Sequence, residues 1–185
     1  LGALGFHYLL MQKNTPFESP MATGLNRKIF KHIQEKANEG TLILGEERGS
    51  PCLLEGTGKR NAHLLAIAPN ASSSIILGTS PSIEPVSANI FTHKTLSGSW
   101  TVKNKYLDSL LRTKLESEEE VERVWKEILG AEGSVQGIAE LDEWEKSVFK
   151  TAFEIDQRWV VSHAADRQQH ICQSQSLNLF LEPDV

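Results

Sequence analysis

A run of small polar residues, APNASSS at positions 68–74, separates two apolar runs, HLLAIA at 63–68 and IIL at 75–77. If an extended segment stops at Pro69 and the chain restarts as a helix, the first backbone N–H groups of that helix have no intrahelical partner. Small hydroxyl side chains then surround these N–H groups, and this combination binds anions. The sequence therefore predicts an anion-binding turn in front of a short helix.

A second phosphate-binding pattern, in EGTGKRN at 55–61, is incomplete. The pair Gly58 and Lys59 matches the end of the loop GxxxxGK[ST]. However, Leu53 stands where that loop needs its first glycine, and Arg60 stands where it needs a Mg²⁺-binding hydroxyl. The sequence therefore argues against a nucleotide-binding P-loop here.

The other nucleophiles and metal ligands lack the spacing that catalysis or metal binding needs. The serines at 72–74 occur without GxSxG, so we interpret them as helix-capping residues. Cys52 and Cys172 form no CxxC pair, which favours a reducing compartment and argues against zinc. The histidines form neither HxH nor HExxH, and we interpret them as surface or helix-packing residues: His7, His32, His63, His93, His163 and His170.

Composition excludes several classes of function. The chain has 185 residues and a formal net charge of −5 with both signs interspersed, so it offers no basic face to nucleic acid. It contains no apolar run of the roughly 18 residues that a membrane span needs, and no signal peptide. We therefore expect a cytoplasmic protein that binds neither nucleic acid nor membrane. Because both ends lie within apolar patterns, we also expect a piece of a longer chain.

The apolar spacing in the first half predicts helices over 2–13 and 24–39, joined by a loop that contains Pro16 and Pro20. A loop should follow Gly49. The continuous apolar run HLLAIA is typical of a strand buried on both faces. Residues 89–96 and 99–103 should pair as a hairpin that turns at Ser97 and Gly98, where the glycine supplies a positive φ.

Capping signals predict the helices of the second half. Ser117 and Glu120 form a capping box in front of a helix that Gly130 ends, with an apolar face that includes Trp125 and Leu129. Asp142 and Glu145 cap a longer helix to about residue 170. Three tryptophans fit helical apolar faces, and we interpret all four as core or packing residues: Trp100, Trp125, Trp144 and Trp159.

Two long segments carry a series of ordered motifs. RNAHLLAIAPNASSSIILGTSPSIEPVSANIFTHKTLSG at 60–98 contains an RN(S/A) block, a P-x-x-(S/T)-(S/T) block, an S-x-EP turn and an N-(I/V)-(Y/F)-T-(R/H)-(R/K)-x-LSG hairpin. KTAFEIDQRWVVSHAADRQQHICQSQSLNLFLEP at 150–183 contains AA-(D/E)-R followed by QSQSLN. Together they resemble the C-terminal portion of the large (alpha, catalytic) subunit of ribonucleotide reductases, in a class I-like form.

The resemblance implies a fold and a domain plan. The fold is α/β and helix-rich: part of a ten-stranded α/β barrel with a β-hairpin, incomplete in this chain. The whole chain would be one fragment of that barrel domain. Residues 1–49 would form a helical part, residues 60–103 a strand, a phosphate loop and the hairpin, and residues 104–185 helices and a final strand.

The resemblance also implies a role in the reduction of ribonucleoside diphosphates to deoxyribonucleotides. In the family, main-chain N–H groups and hydroxyls of the P-x-x-(S/T)-(S/T) block hold the diphosphate of the substrate. The corresponding residues of this chain are Pro69, Asn70, Ala71, Ser72 and Ser73. The radical-bearing N-L-C-x-E block, the reducing cysteine pair and the tyrosine pair of the family are missing. We therefore expect no catalytic residue, no metal and no cofactor in this chain.

Two function classes remain open. The chain is either a fragment of the reductase, inactive alone, or a stand-alone phosphate-binding or interaction module derived from that fold. The fragment hypothesis implies the remaining large subunit or a split partner chain, and a radical-generating small subunit, as partners. It also predicts an exposed strand edge around HLLAIA and LNLFLE and a large apolar patch, which a homodimer could also cover.

Overall fold

A computed structural model describes residues 1–96 and 98–181 of the chain. The α-helices within these residues are α1 (Phe6–Gln12), α2 (Pro20–Arg48), α3 (Ala71–Leu77), α4 (Lys105–Lys114), α5 (Glu118–Gly130), α6 (Glu143–Val148) and α7 (Gln157–Gln168). A 3₁₀ turn covers Cys52–Leu54. The strands β1 (Ile90–Thr95) and β2 (Gly98–Lys103) pair antiparallel. The architecture is thus a helix-rich α/β arrangement whose sheet is not closed over the described residues.

The two N-terminal helices exist as predicted but with different bounds. Pro20, expected in the loop, is the first residue of α2, where its missing N–H costs no hydrogen bond. Ser19 caps this helix, because its Oγ accepts a hydrogen bond from the Ala22 N–H at 3.1 Å. The helix continues to Arg48 instead of ending at residue 39. Its last turns are held by Thr41, whose Oγ1 accepts a hydrogen bond from the Asn61 N–H at 2.8 Å.

The segment HLLAIA is extended, but the prediction of a strand buried on both faces is wrong. Leu65 and Ile67 are buried, whereas His63 and Ala66 are exposed, so burial alternates along the segment. Among the described residues its only β-bridge joins Ile67 to Gln175 in a parallel sense. The final strand predicted around LNLFLE is likewise absent over 177–181, and residues 182–185 lie outside the described structure.

The predicted hairpin is confirmed. Ile90 pairs with Lys103 at its base and Thr95 pairs with Gly98 at its tip. Gly98 has a φ of 143°, which a residue with a Cβ rarely adopts. The predicted turn residue Ser97 lies outside the described residues.

The C-terminal half follows its capping signals but not the predicted long helix. The capping boxes of α5 and α6 are both present. Instead of one helix to residue 170, α6 ends at Val148 and α7 begins at Gln157 behind its own cap, Asp156. A long-range contact interrupts the helix, because the Ala152 N–H donates to Val86 O at 2.7 Å. Helix α4 was not predicted from the sequence.

The buried apolar residues form two clusters. One joins α4 and α5 around Trp125 and Ile128. The other joins α1, α2 and α7 and includes Ile67, two residues before the predicted anion-binding turn. Leu129, Trp100 and Trp144 are about half exposed, so none of the three lies in the core. The Trp100 ring still packs against the His93 ring, with centroids 5.4 Å apart.

Two histidines are packed in the second cluster, on either side of Phe17. The ring of Phe17 lies 5.4 Å from that of His7 and 4.8 Å from that of His163. His7 Nδ1 accepts a hydrogen bond from the Val86 N–H at 3.0 Å. Burial lowers the pKa of His7 to about 3 and, together with the positive charge of Arg167, lowers the pKa of His163 to about 4. Both rings are therefore neutral in the folded protein at neutral pH.

These pKa shifts predict a loss of stability in acid. Below the ordinary histidine pKa of about 6.5, the unfolded chain takes up protons that the folded chain excludes. The free energy of unfolding should fall as the pH drops from about 6.5 towards 4, by up to about 1.4 kcal/mol per pH unit for each ring. The substitution His7→Asn keeps an acceptor for the Val86 N–H and should make this slope shallower. Urea unfolding at several pH values measures the slope.

The matched control is His32→Asn, because His32 is exposed. It should leave the slope unchanged. Equal slopes in the unsubstituted protein and in His7→Asn would contradict the assignment.

Candidate anion-binding site

The turn at 69–73 leads into helix α3 as the sequence predicts. Asn70 is the N-cap residue in a left-handed conformation, with φ 54° and ψ 30°, which asparagine tolerates better than most residues. Its side-chain Nδ2 donates to Ala68 O at 3.2 Å. The chain therefore reverses direction at Asn70, and α3 begins at Ala71.

The start of α3 presents three free backbone N–H groups. The first N–H of this helix to find a partner is that of Ser74, which donates to Asn70 O at 2.9 Å. The N–H groups of Ala71, Ser72 and Ser73 form no hydrogen bond with any described residue. All three residues are exposed. The arrangement thus offers adjacent donors that could be aimed at one anion.

The serines of the turn do not cap the helix, contrary to expectation. Asn70 stands at the N-cap without a side-chain capping bond. The buried hydroxyl of Ser74 donates back to Ala71 O at 2.7 Å. The hydroxyls of Ser72 and Ser73 have no partner within the described structure, so both could donate to a ligand.

A cleft of about 520 Å³ runs along α3 and is lined by Ala71 and Ser74 on the helix side. The hairpin supplies the opposite wall through Phe91 and Trp100. Among the described residues that line the cleft, the charged side chains are those of Lys103 and Lys105, and none is a carboxylate. An anion at the start of α3 would therefore meet no opposing carboxylate from this wall.

The chain on the N-terminal side of the turn is held by the segment 172–176. Cys172 Sγ accepts hydrogen bonds from the N–H groups of Leu64 at 3.1 Å and Leu65 at 3.2 Å. These backbone donors lower the pKa of the Cys172 thiol. The N–H of Ile67 donates to Ser174 O at 3.2 Å, and the N–H of Ser176 donates to Ile67 O at 2.8 Å.

A buried polar network surrounds this segment, and reasoning from the sequence gave no role to its members. Arg167 is buried, and its Nε donates to Gln175 Oε1 at 2.6 Å. Burial lowers the pKa of Arg167 to about 9, although the negative charges of Glu84 and Asp166 act in the opposite direction. Glu84 in turn accepts hydrogen bonds from the backbone and side chain of Asn178. The only sequence signal was the pair of motifs AADR and QSQSLN.

The P-loop-like segment 55–61 packs against the second helix. Gly58 O lies against α2, so close that a Cβ on Gly45 would lie 1.9 Å from it. Within residues 1–96 and 98–181, no group of three His, Cys, Asp or Glu could hold a metal ion. In the same ranges, no helix has both the length and the apolar character needed to cross a membrane.

Comparisons with known proteins agree with the motifs. The family described as "Ribonucleotide reductase, barrel domain" matches residues 53–185. The large subunit of the ribonucleoside-diphosphate reductase of Invertebrate iridescent virus 6 is 52% identical over an alignment of 188 positions, which covers 100% of this chain and 20% of that protein. The putative large subunit of Frog virus 3 is 48% identical over 97% of this chain and 31% of that protein.

A solved structure extends the similarity to three dimensions. The alpha subunit of the class Id ribonucleotide reductase of Actinobacillus ureae superposes with a TM-score of 0.85 at 42% identity. The match covers 97% of this chain and 32% of that subunit, so the chain spans about a third or less of these relatives. The helices and the two-stranded hairpin correspond to a portion of their barrel domain. The chain belongs to the ribonucleotide reductase large-subunit family.

Proposed function

We propose that the chain forms part of a ribonucleoside-diphosphate reductase large subunit and that residues 69–73 bind the diphosphate of the substrate. The observation that carries this proposal is the set of three unpaired N–H groups of Ala71, Ser72 and Ser73 at an exposed helix start. The family membership makes a ribonucleoside diphosphate the ligand to test first. Pro69 and Asn70 contribute by turning the chain so that these N–H groups face outward.

The strength of such a site comes from local donors, because the net charge of −5 does not attract anions. A hydrogen bond to a charged group contributes about 1.5–3 kcal/mol. Three N–H groups and the hydroxyls of Ser72 and Ser73 could therefore hold a diphosphate without a lysine or an arginine. The helix dipole adds to this attraction over the first turn.

The site can bind and orient a substrate, but it holds no group that could reduce a ribose. Cys52 and Cys172 are free and exposed, and Cys172 Sγ is engaged by the backbone of 64–65. We propose that the thiol chemistry comes from the remaining large subunit or from a split partner chain. The radical would come from a small subunit, with no cofactor bound to this chain.

The surface around the site supports such a partner. Ile75, Ile76 and Leu77 on α3 are exposed by 53%, 84% and 65%. Leu179 and Leu181 near the end of the described chain are exposed as well. Exposed apolar side chains beside a proposed binding site, such as those on α3, are typical of an interface with another polypeptide segment.

Titration of the ¹⁵N-labelled chain with cytidine diphosphate and with pyrophosphate tests the binding role. Both ligands should shift the amide resonances of Ala71, Ser72 and Ser73. The substitution Ser72→Asp places a carboxylate at the anion position and should weaken binding by about tenfold to a hundredfold, as the loss of one charge-assisted hydrogen bond would. The measured quantity is the dissociation constant for each ligand.

The control is Ser109→Asp, which adds the same charge on the exposed face of α4. It should leave both dissociation constants unchanged. Equal affinity in Ser72→Asp and in the unsubstituted chain would overturn the binding role.

The assignment to a reductase also predicts where activity resides. The purified chain should form no deoxyribonucleotide with any reductant, because the thiol chemistry lies elsewhere. A chimera in which this chain replaces the matching segment of the Invertebrate iridescent virus 6 large subunit should be active when the small subunit is supplied. Conversion of cytidine diphosphate to its deoxy form measures activity.

Deoxyribonucleotide formed by the purified chain alone would refute the proposal that the thiol chemistry comes from another polypeptide segment. An inactive chimera that is folded and assembled would favour the alternative of a stand-alone phosphate-binding module.

A further inference from the structure

The proposed diphosphate loop at 69–73 makes few contacts of its own. Within the described residues, the loop side chain with a hydrogen bond is that of Asn70, which donates to Ala68 O. Ser74, directly after the loop, donates its N–H to Asn70 O and its hydroxyl to Ala71 O. The loop is otherwise held at its two ends, by Ile67 on one side and by the Thr79 N–H, which donates to Ser74 O at 3.0 Å, on the other. The positions of the three free N–H groups therefore depend on where these ends are fixed.

The upstream end is fixed by a short parallel pairing with 173–176. The N–H of Gln173 donates to Leu65 O at 3.1 Å, and Ile67 exchanges hydrogen bonds with both neighbours of Gln175. Only Ala68 separates Ile67 from Pro69. A displacement of 173–176 would therefore move Ile67, and with it the loop, which begins only two residues further on.

The side chain of Gln175 holds 173–176 against α7. Its Oε1 accepts a hydrogen bond from Arg167 Nε at 2.6 Å, while its Nε2 donates to Ala164 O at 2.9 Å and to Gln168 Oε1 at 2.7 Å. All three partners lie on the last turns of one helix. The Gln175 amide therefore acts as a clamp: its oxygen accepts one hydrogen bond and its nitrogen donates two, and all three bonds hold 173–176 to α7.

Arg167 connects this clamp to the core. Its Nη1 lies 3.3 Å from Asn26 Oδ1 on α2, and Asn26 Nδ2 donates to His163 O at 2.9 Å. Arg167 and Asn26 are both fully buried. A buried guanidinium with fixed partners holds its acceptor in one place, because any movement would leave a desolvated charge without a partner.

We infer that Gln175, clamped by Arg167, is a positioning residue for the diphosphate loop, an inference that rests on the proposed function. Its contacts run from the packed pair α2 and α7 through 173–176 to Ile67 and the turn. Gln175 does not touch the ligand. Its effect is to keep the N–H groups of 71–73 within hydrogen-bonding distance of the anion, where a displacement of about 1 Å is costly.

The substitution Gln175→Met keeps the length of the side chain but removes all three hydrogen bonds. In the viral chimera, it should raise the KM for cytidine diphosphate by about tenfold to a hundredfold, because misplaced donors bind the diphosphate less well. It should change kcat far less, since the lost contacts are made equally before and during reaction. Gln175→Glu keeps the acceptor for Arg167. Its KM should lie between those of the unsubstituted chimera and of Gln175→Met.

The chain contains a closely matched control, Gln157. This half-buried glutamine also makes three hydrogen bonds, donating to Ala152 O and Ile155 O and accepting from the Phe180 N–H. Within the described part of the chain, the residues that it bonds, Ala152, Ile155 and Phe180, form no hydrogen bond with 64–67. Gln157→Met should therefore lower the midpoint of thermal unfolding comparably, while the KM stays unchanged.

Ser72→Asp, measured in the same chimera, separates the two hypotheses. Unchanged substrate affinity in Ser72→Asp would refute the proposed function. A large effect of Ser72→Asp, together with an unchanged KM in Gln175→Met or an equal rise in Gln157→Met, would refute the positioning role alone. If Gln175→Met does not fold, Gln175→Glu decides: a KM equal to that of the unsubstituted chimera, with a reduced unfolding midpoint, would refute positioning.

Discussion

Backbone N–H groups can bind a ligand only if the fold leaves them without partners, and the site proposed at the turn 69–73 meets this constraint. An N–H group that is kept free for a ligand cannot also form a hydrogen bond that holds its own residue in place. The fold therefore fixes the turn from outside, through Ile67 upstream and Ser74 downstream. Rigid elements on both sides take the place of contacts within the turn, as is usual when a loop on a scaffold carries function.

The upstream anchor places charge in the protein interior. Arg167 is desolvated strongly enough to lower its pKa to about 9, and Glu84 is buried nearby. Replacing such groups by apolar residues often stabilises a protein, so their value here is geometric. A hydrophobic contact would allow 173–176 to slide along α7, whereas the hydrogen-bonded amide of Gln175 has one position. Specificity of register is the gain that a buried polar network offers.

The features that the sequence predicted are the ones that depend on neighbouring residues. The capping boxes at Ser117 and Asp142 and the restart of the chain as a helix behind Pro69 each involve residues three or four positions apart. The failures involve distant residues. Val86 O takes the Ala152 N–H and so divides a segment whose apolar spacing suited one long helix. The run HLLAIA met the composition of a doubly buried strand, but only one of its faces packs on the core.

The candidate site also combines features that depend on neighbouring residues with features that depend on residues distant in the sequence. The donors of the turn could be recognised because a proline, an asparagine and serines are contiguous at 69–74. The anchor could not, because Leu64 meets Cys172 across 108 positions and nothing local marks Gln175 as a clamp. This difference has a physical origin in the chemistry of binding. A diphosphate needs several donors within a few ångströms, which one short stretch can supply, whereas the accuracy of their placement must be imposed by the packed core. In the proposed site, donating hydrogen bonds and placing the donors therefore fall to different parts of the chain.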